Sequence, residues 1–396
     1  MSTNRNSALF LLLFVNFLLY GGVSTVVGAT LPLVIRSFDW AYLATGAVVA
    51  GGAVGYFATT FLAGLLVGRV GPGALMTGGL CLQAAGLAGF GSLPSVGFNM
   101  AALVLLGVGQ GTSEVATNYS VVQMEPAGQS RKMNLIHSAF TIGAIAAPFA
   151  TGLLARMTDR WRLTYLGLAA LSLAMMAAVW GLRRSFPVAE AGGHPSSSPL
   201  RRVIGRPLLW LLAAVILLYV GVEMGISAWI AEYHVRRFGI APERSAFMVS
   251  VFWLGILLGR LLTSILYHGN RPALLLVGFA LLASVALGRG LLADRWGWGA
   301  GWFLVTGLGL SAIYPLVMAV TGAAFSRHQG VAIGMVTTGG GIGACCFPFV
   351  MSALSDRMGI AAGFWFYFAL AVAMVAVTLG VVWEAGRESA EPSVAD

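Results

Sequence analysis

Charge is scarce in this sequence. Of 396 residues only 9% are Asp, Glu, Lys or Arg, 23 basic against 14 acidic, while 58% are hydrophobic. A soluble globular chain carries roughly a quarter charged residues, and a domain of this length cannot cover itself with so few polar side chains. A water-soluble fold is excluded, and lipid must be the outer solvent. Cysteine is equally sparse: Cys81, Cys345 and Cys346 fall inside apolar runs with neither CxxC spacing nor nearby histidines, which argues against a disulfide framework or a metal site. No HExxH, paired-histidine cluster or nucleophile motif occurs near the end of a run, so neither enzymatic chemistry nor a cofactor is expected. The formal charge of +9 is scattered singly or in pairs between apolar runs rather than gathered in a basic stripe with interleaved aromatics, so no nucleic-acid partner is expected.

What the chain has is apolar length. Runs long enough to cross about 30 Å of hydrocarbon predict an all-α membrane protein with helices near 8–35, 42–68, 73–92, 98–124, 132–155, 163–182, 208–235, 245–267, 273–293, 299–325, 330–353 and 363–383. The opening MSTNRNS runs straight into the first of them, which is too long for a signal-peptide core and reads as a retained helix. Residues 184–206, with Gly192, Gly193, Pro195, Ser196 to Ser198 and Pro199, read as a flexible linker.

The chain also repeats itself. Gly107-Val108-Gly109 matches Gly307-Leu308-Gly309, Gly143 through Pro148-Phe149 matches Gly343 through Pro348-Phe349, Pro72 matches Pro272, and Leu19-Tyr20 matches Leu218-Tyr219. Segments that keep a spacing of about 200 residues, in order, are the mark of a duplicated transporter fold. The expected organisation is a six-helix bundle over 1–183, a cytoplasmic linker over 184–206 and a second six-helix bundle over 207–396 with a short cytoplasmic tail. An even number of spans puts both termini on one side. Loop charge is nearly balanced, but the Arg-rich linker favours the cytoplasm.

Ionisable groups inside a span are costly and therefore functional candidates. Glu114 and Glu223 are the only carboxylates deep in the runs, accompanied by His137 and Arg260. Gln110, Glu114 and Asn118 recur at i, i+4, i+8, as do Asn16, Tyr20 and Ser24 and, in the seventh span, Tyr219, Glu223 and Ser227. That spacing makes one polar stripe per helix. Such stripes either line a shared aqueous cavity or tie helices together by hydrogen bonds. His137 shares its face with Asn134 and Thr141, and Trp229, Tyr233, Trp253 and Tyr314 supply flat faces for stacking on a ring-shaped solute or serve in packing and the interfacial belt. Arg260, near the end of its span, suits a gate, by reaching the interface or by pairing with a carboxylate.

With these residues in hand, the chain resembles the major facilitator superfamily. The stretch Gly64-Leu65-Leu66-Val67-Gly68-Arg69-Val70-Gly71 is similar to that family's loop between spans two and three, with Gly68 in place of the acid and Pro72 in place of a basic residue; the resemblance assigns a gating charge to Arg69. The patches around Gly107 to Asn118, Asn134 to Phe140 and Tyr219 to Tyr233 resemble the fucose/glucose/galactose symporter branch. That resemblance implies solute contacts at Glu114, Asn118, Asn134, His137, Glu223 and Trp229, with Asn16, Tyr20, Gln110, Tyr219 and Tyr314 sharing the polar interior, and proton coupling at Glu114. The first span departs from the branch, since it has no Asp. The resulting expectation is a secondary transporter of the cytoplasmic membrane that moves a small polar solute, a monosaccharide, with a proton or another coupling ion. The alternative is a drug or other small organic solute carried by the same fold.

Overall fold

A backbone in hydrocarbon has to satisfy its own N–H and C=O groups, and this chain does so with helices. The computed structural model describes residues 2–124, 131–187, 203–266, 272–325 and 329–390, and no strand occurs among them. The helices are α1 (Ser2–Phe38), α2 (Tyr42–Val70), α3 (Pro72–Gly89), α4 (Val96–Gln123), α5 (Arg131–Thr158), α6 (Arg162–Gly181), α7 (Pro207–Phe238), α8 (Phe247–Leu266), α9 (Pro272–Leu291), α10 (Trp296–Leu310, resumed as Ile313–Ala324), α11 (Gln329–Met358) and α12 (Ile360–Ala390). Among the described residues, eleven helices are long and apolar enough to cross a membrane. The twelfth helix, α3, is diluted by glycine and by Gln83, whose Nε2 donates to Ser172 Oγ at 2.8 Å. It packs against α4 and α6. Most of the expected linker, residues 188–202, lies outside the described residues.

Sequence explains the breaks. Proline opens α3, α7 and α9, where its missing N–H costs nothing. Pro315, just inside the second half of α10, cannot donate to the helix ladder and crowds the preceding turn, and the helix is interrupted at Ser311 and Ala312. Trp180, Trp210, Trp296, Trp298 and Trp383 are exposed near helix ends, as an interfacial belt requires. Trp229, Tyr233 and Trp253 are instead buried, so they are not belt residues.

The chain divides into two compact units, Met1–His194 with Ala228–Ser250, and Pro195–Ser227 with Val251–Asp396. Each is built on the same crossings. In the first unit a Cβ on Gly107 would collide with the Gly52 carbonyl, and one on Gly143 with the Leu18 carbonyl; in the second, Gly307 meets Phe252 and Gly343 meets Leu217 in the same way. Helix termini repeat as well: Asp39 and Gly239 both turn with positive φ, and so do Asp159 and Gly359. The repeat read from sequence is thus a repeat of backbone-to-backbone helix contacts, of the kind small residues permit. The start of α8, which belongs to the first unit, is anchored on α5, where Ser250 Oγ donates to the Ile145 carbonyl at 2.7 Å and Phe247 meets Phe149 with ring centroids 5.0 Å apart.

Gly143→Val should force α1 away from α5 and lower the thermal unfolding midpoint of the detergent-solubilised protein, the usual cost of overpacking being about 1–3 kcal/mol. Gly64→Val, where nothing lies within 4 Å of the added carbon, should leave the midpoint nearly unchanged. Equal midpoints for the two variants would show that the crossing tolerates separation.

Candidate functional site

In the first unit the polar stripes of α1 and α4 meet rung against rung. Gln110 Nε2 donates to Ser24 Oγ at 3.0 Å, Tyr20 Oη donates to Glu114 Oε2 at 2.9 Å, and Asn16 Nδ2 lies 3.2 Å from both Ser113 Oγ and Thr117 Oγ1. The antiparallel run of two helices with i, i+4 polar spacing produces this ladder. Asn16 and Gln110 are buried ties, whereas Glu114 and Asn118 are half-buried.

Glu114 is the centre of the cluster. A second phenol, Tyr56 of α2, also donates to its Oε2, and Asn118 is a further hydrogen-bonding neighbour. Among the described residues no cation pairs with this carboxylate. Neutral donors alone hold it. The Oδ1 atom of Asn118 is buried and accepts from no donor among the described residues. Beside the carboxylate, Tyr20 packs on Phe17 and Phe140, and His137 stands edge-on to Phe17 with centroids 5.5 Å apart. His137 and Asn134 are both exposed on α5.

Sequence reasoning missed Tyr56. The signal was present in the glycines: Gly52 and Gly55 of α2 lie against Gly107 and Val104 of α4, and a Cβ on Gly111 would meet the Tyr56 carbonyl. So close a crossing brings the next large side chain of α2 to the carboxylate one turn along α4.

In the second unit the charge is distributed differently. Tyr219 and Glu223, both buried on α7, are hydrogen-bonding neighbours, and Arg260 of α8 acts electrostatically on both. Tyr314, at the start of the resumed α10, lies with its ring 6.4 Å from that of Tyr219. Ser227, one turn beyond Glu223, accepts from Trp253 Nε1 at 2.8 Å. Arg260, read from sequence as a gate, therefore stands beside a carboxylate. Arg69 is exposed at the end of α2, without a carboxylate partner among the described residues.

Trp229 lies elsewhere, with the first unit. It is fully buried, its ring is edge-on to Tyr42 at 5.8 Å, and its Nε1 has no acceptor among the described residues. Tyr42 Oη donates to Glu232 Oε1 at 3.0 Å, and Arg236 Nε donates to the same oxygen at 2.7 Å. Glu232 had no place in the sequence reading, because it sits near the end of its apolar run, where a carboxylate reads as an edge charge.

A family model described as Major Facilitator Superfamily matches residues 12–288 and 235–395. A Helicobacter pylori protein provisionally named a glucose/galactose transporter is 22% identical, the match covering 86% of this chain and 88% of the relative. Among solved structures, the nucleoside transporter NupG superposes with a TM-score of 0.78 at 13% identity, covering 95% of this chain and 99% of the other. A bacterial homologue of the human lysosomal transporter Spinster, in an inward-facing and occupied conformation, superposes at 0.74 with 14% identity, covering 96% and 97%. At such identities these two structures show a shared fold and nothing about the solute.

The geometry separates ties from exposed donors, and substitution should do the same. Asn16→Ala leaves buried hydroxyl partners unmatched and should cost about 1–3 kcal/mol of stability, read as a lower unfolding midpoint. Tyr56→Phe, at a half-buried position, should leave the midpoint close to that of the unmodified protein while reducing transport. A reversal of that pattern would make Tyr56 a structural tie.

Proposed function

Because the chain belongs to the Major Facilitator Superfamily, whose members are carriers and not enzymes, we propose that it moves a small neutral polyhydroxylated solute, a monosaccharide, across the cytoplasmic membrane. The observation that carries this reading is the Glu114 cluster: an acceptor carboxylate, two phenols and an amide, flanked by the faces of Phe17, Tyr20 and Phe140, with no cation among its described partners. Sugar hydroxyls both donate and accept, so a surface that mixes donors and acceptors beside apolar faces suits them. The name of the Helicobacter relative supports the same class.

In this reading residues 1–183 and 207–396 are two halves that alternate access to a midplane site, with 184–206 as their cytoplasmic connection. Arg183, Arg184, Arg201, Arg202 and Arg206 support cytoplasmic termini. Glu114 is the site of proton coupling: a carboxylate with neutral partners exchanges a proton when its exposure changes without first breaking an ion pair. Glu223, next to Arg260, already has a charge partner and tunes affinity instead. Asn134, His137 and Trp229 complete the solute contacts, and Tyr42, Glu232 and Arg236 are the tie that opening at their end of α2 and α7 has to break. The second reading, an organic cation as solute, rests on the same Glu114, which has no cation among its described partners and would serve as the counter-charge.

Proteoliposomes decide between them. For a proton-coupled sugar carrier, Glu114→Gln should abolish accumulation driven by a pH gradient while retaining exchange between equal pools, and Glu223→Gln should change affinity more than coupling. Alanine at two or more of Asn118, Asn134, His137 and Trp229 should weaken sugar binding by roughly 5- to 100-fold, since a lost buried hydrogen bond costs about 1–3 kcal/mol. Binding of tetraphenylphosphonium but no monosaccharide would favour the cation reading. Sugar-driven alkalinisation that survives Glu114→Gln would remove the coupling assignment.

A further inference from the structure

Where α2 gives way to α3 and α6 runs out, the first unit holds a cleft of about 380 Å³ that the transport reading does not use. Its walls include Val70, Gly73, Trp180, Arg183, Arg184 and Phe186, and no carboxylate is among its described lining residues. Nor does any acidic residue occur from Gly64 through Thr77, so the turn carries only the positive charge of Arg69. Since α1 and α2 form one antiparallel pair and α6 ends after an even number of helices, the cleft opens on the side of the chain's N-terminus.

The positive charge is held in place. Arg183 Nη1 donates to the Trp180 carbonyl at 2.9 Å, and its guanidinium lies 4.4 Å above the Trp180 ring. One of five N–H donors is thereby used, and the fork stays at the cleft. Arg184 adds a second charge. The floor is equally built: a Cβ on Gly73 would lie 3.2 Å from the Phe186 ring, a tight contact, so glycine lets the start of α3 lie close against this buried phenylalanine. Gly73 and Ala74, in the uncapped first turn of α3, contribute the positive end of a helix to the same lining.

The surroundings say what kind of anion fits. Val70 is half exposed, and the exposed leucines Leu62, Leu65 and Leu66 continue from it along α2 as an apolar face. Trp180 is exposed at the end of α6, the position of a residue at headgroup depth. A ligand there meets two arginines at one end and a hydrocarbon-facing surface at the other. We propose that this cleft holds the phosphate-bearing headgroup of an anionic phospholipid, with an acyl chain lying along the outer face of α2. Free phosphate shares the headgroup chemistry but has no use for the apolar face.

The test uses the full-length protein, delipidated in detergent and titrated with phosphatidylglycerol, with phosphatidylcholine, and with phosphatidylglycerol in the presence of inorganic phosphate, the bound lipid being counted by native mass spectrometry. Phosphatidylglycerol should be preferred over phosphatidylcholine, each arginine near the membrane surface contributing about fivefold. Arg183→Ala with Arg184→Ala should remove the preference, lysine at both positions should keep most of it in an equally monodisperse protein, and Arg69→Ala, outside the lining, should leave it intact. The proposal is overturned by an unchanged preference in the double alanine variant or by an equal loss in Arg69→Ala. It is overturned also by inorganic phosphate at millimolar concentration displacing the lipid, which would make the cleft a site for free anions.

Discussion

Hydrocarbon supplies neither hydrogen bonds nor a hydrophobic drive between helices, so helices in this protein hold together by approaching closely enough for backbone to touch backbone. The glycine crossings carry that burden. Gly107 on Gly52, Gly143 on Leu18 and their counterparts Gly307 on Phe252 and Gly343 on Leu217 set which helices are neighbours. Everything polar follows from those neighbours. The α1 and α4 stripes form a ladder because α1 lies close to α5 and α4 close to α2 and α3, so that Tyr20 and Tyr56 both reach Glu114.

Against that repeated scaffold the chemistry is not repeated. Tyr20 has its counterpart in Tyr219, yet the position of Glu114 is occupied by Tyr314 and that of Ser24 by Glu223. Tyr56 is answered by Ile256, and Thr60 by Arg260. The first unit thus holds a carboxylate among neutral donors, and the second a carboxylate with a nearby guanidinium. Duplication supplied two copies of one frame, and the two copies now differ in how they balance a buried charge.

Much of the fold was legible in the sequence because it depends on composition and period. Apolar length located the spans, and the spacing of Gly107 from Gly307 and of Pro148 from Pro348 announced the duplication. The i, i+4 stripes were legible too, and their ladder joins the residues they nominated in the first unit. What could not be read is what depends on how two helices cross. Tyr56 has no polar stripe of its own, and only the crossing at Gly111 brings it to Glu114. Glu232 looks like an edge charge until Tyr42, 190 residues earlier, is seen donating to it. Trp229 shares a helix with Glu223, but a helix can be divided between two packing environments, and α7 is: residues through Ser227 group with the second unit and those from Ala228 with the first.

That division within α7 bears on how the two kinds of charge are used. Tyr219, Glu223 and Ser227 lie on one side of it, while Trp229, Glu232 and Arg236 lie on the other, and no proline interrupts the helix between them. A continuous hydrogen-bonded rod transmits displacement along its axis far better than it absorbs it. Whatever moves the Tyr42 and Glu232 contact is therefore felt about one and a half turns away at Ser227 and about two and a half at Glu223.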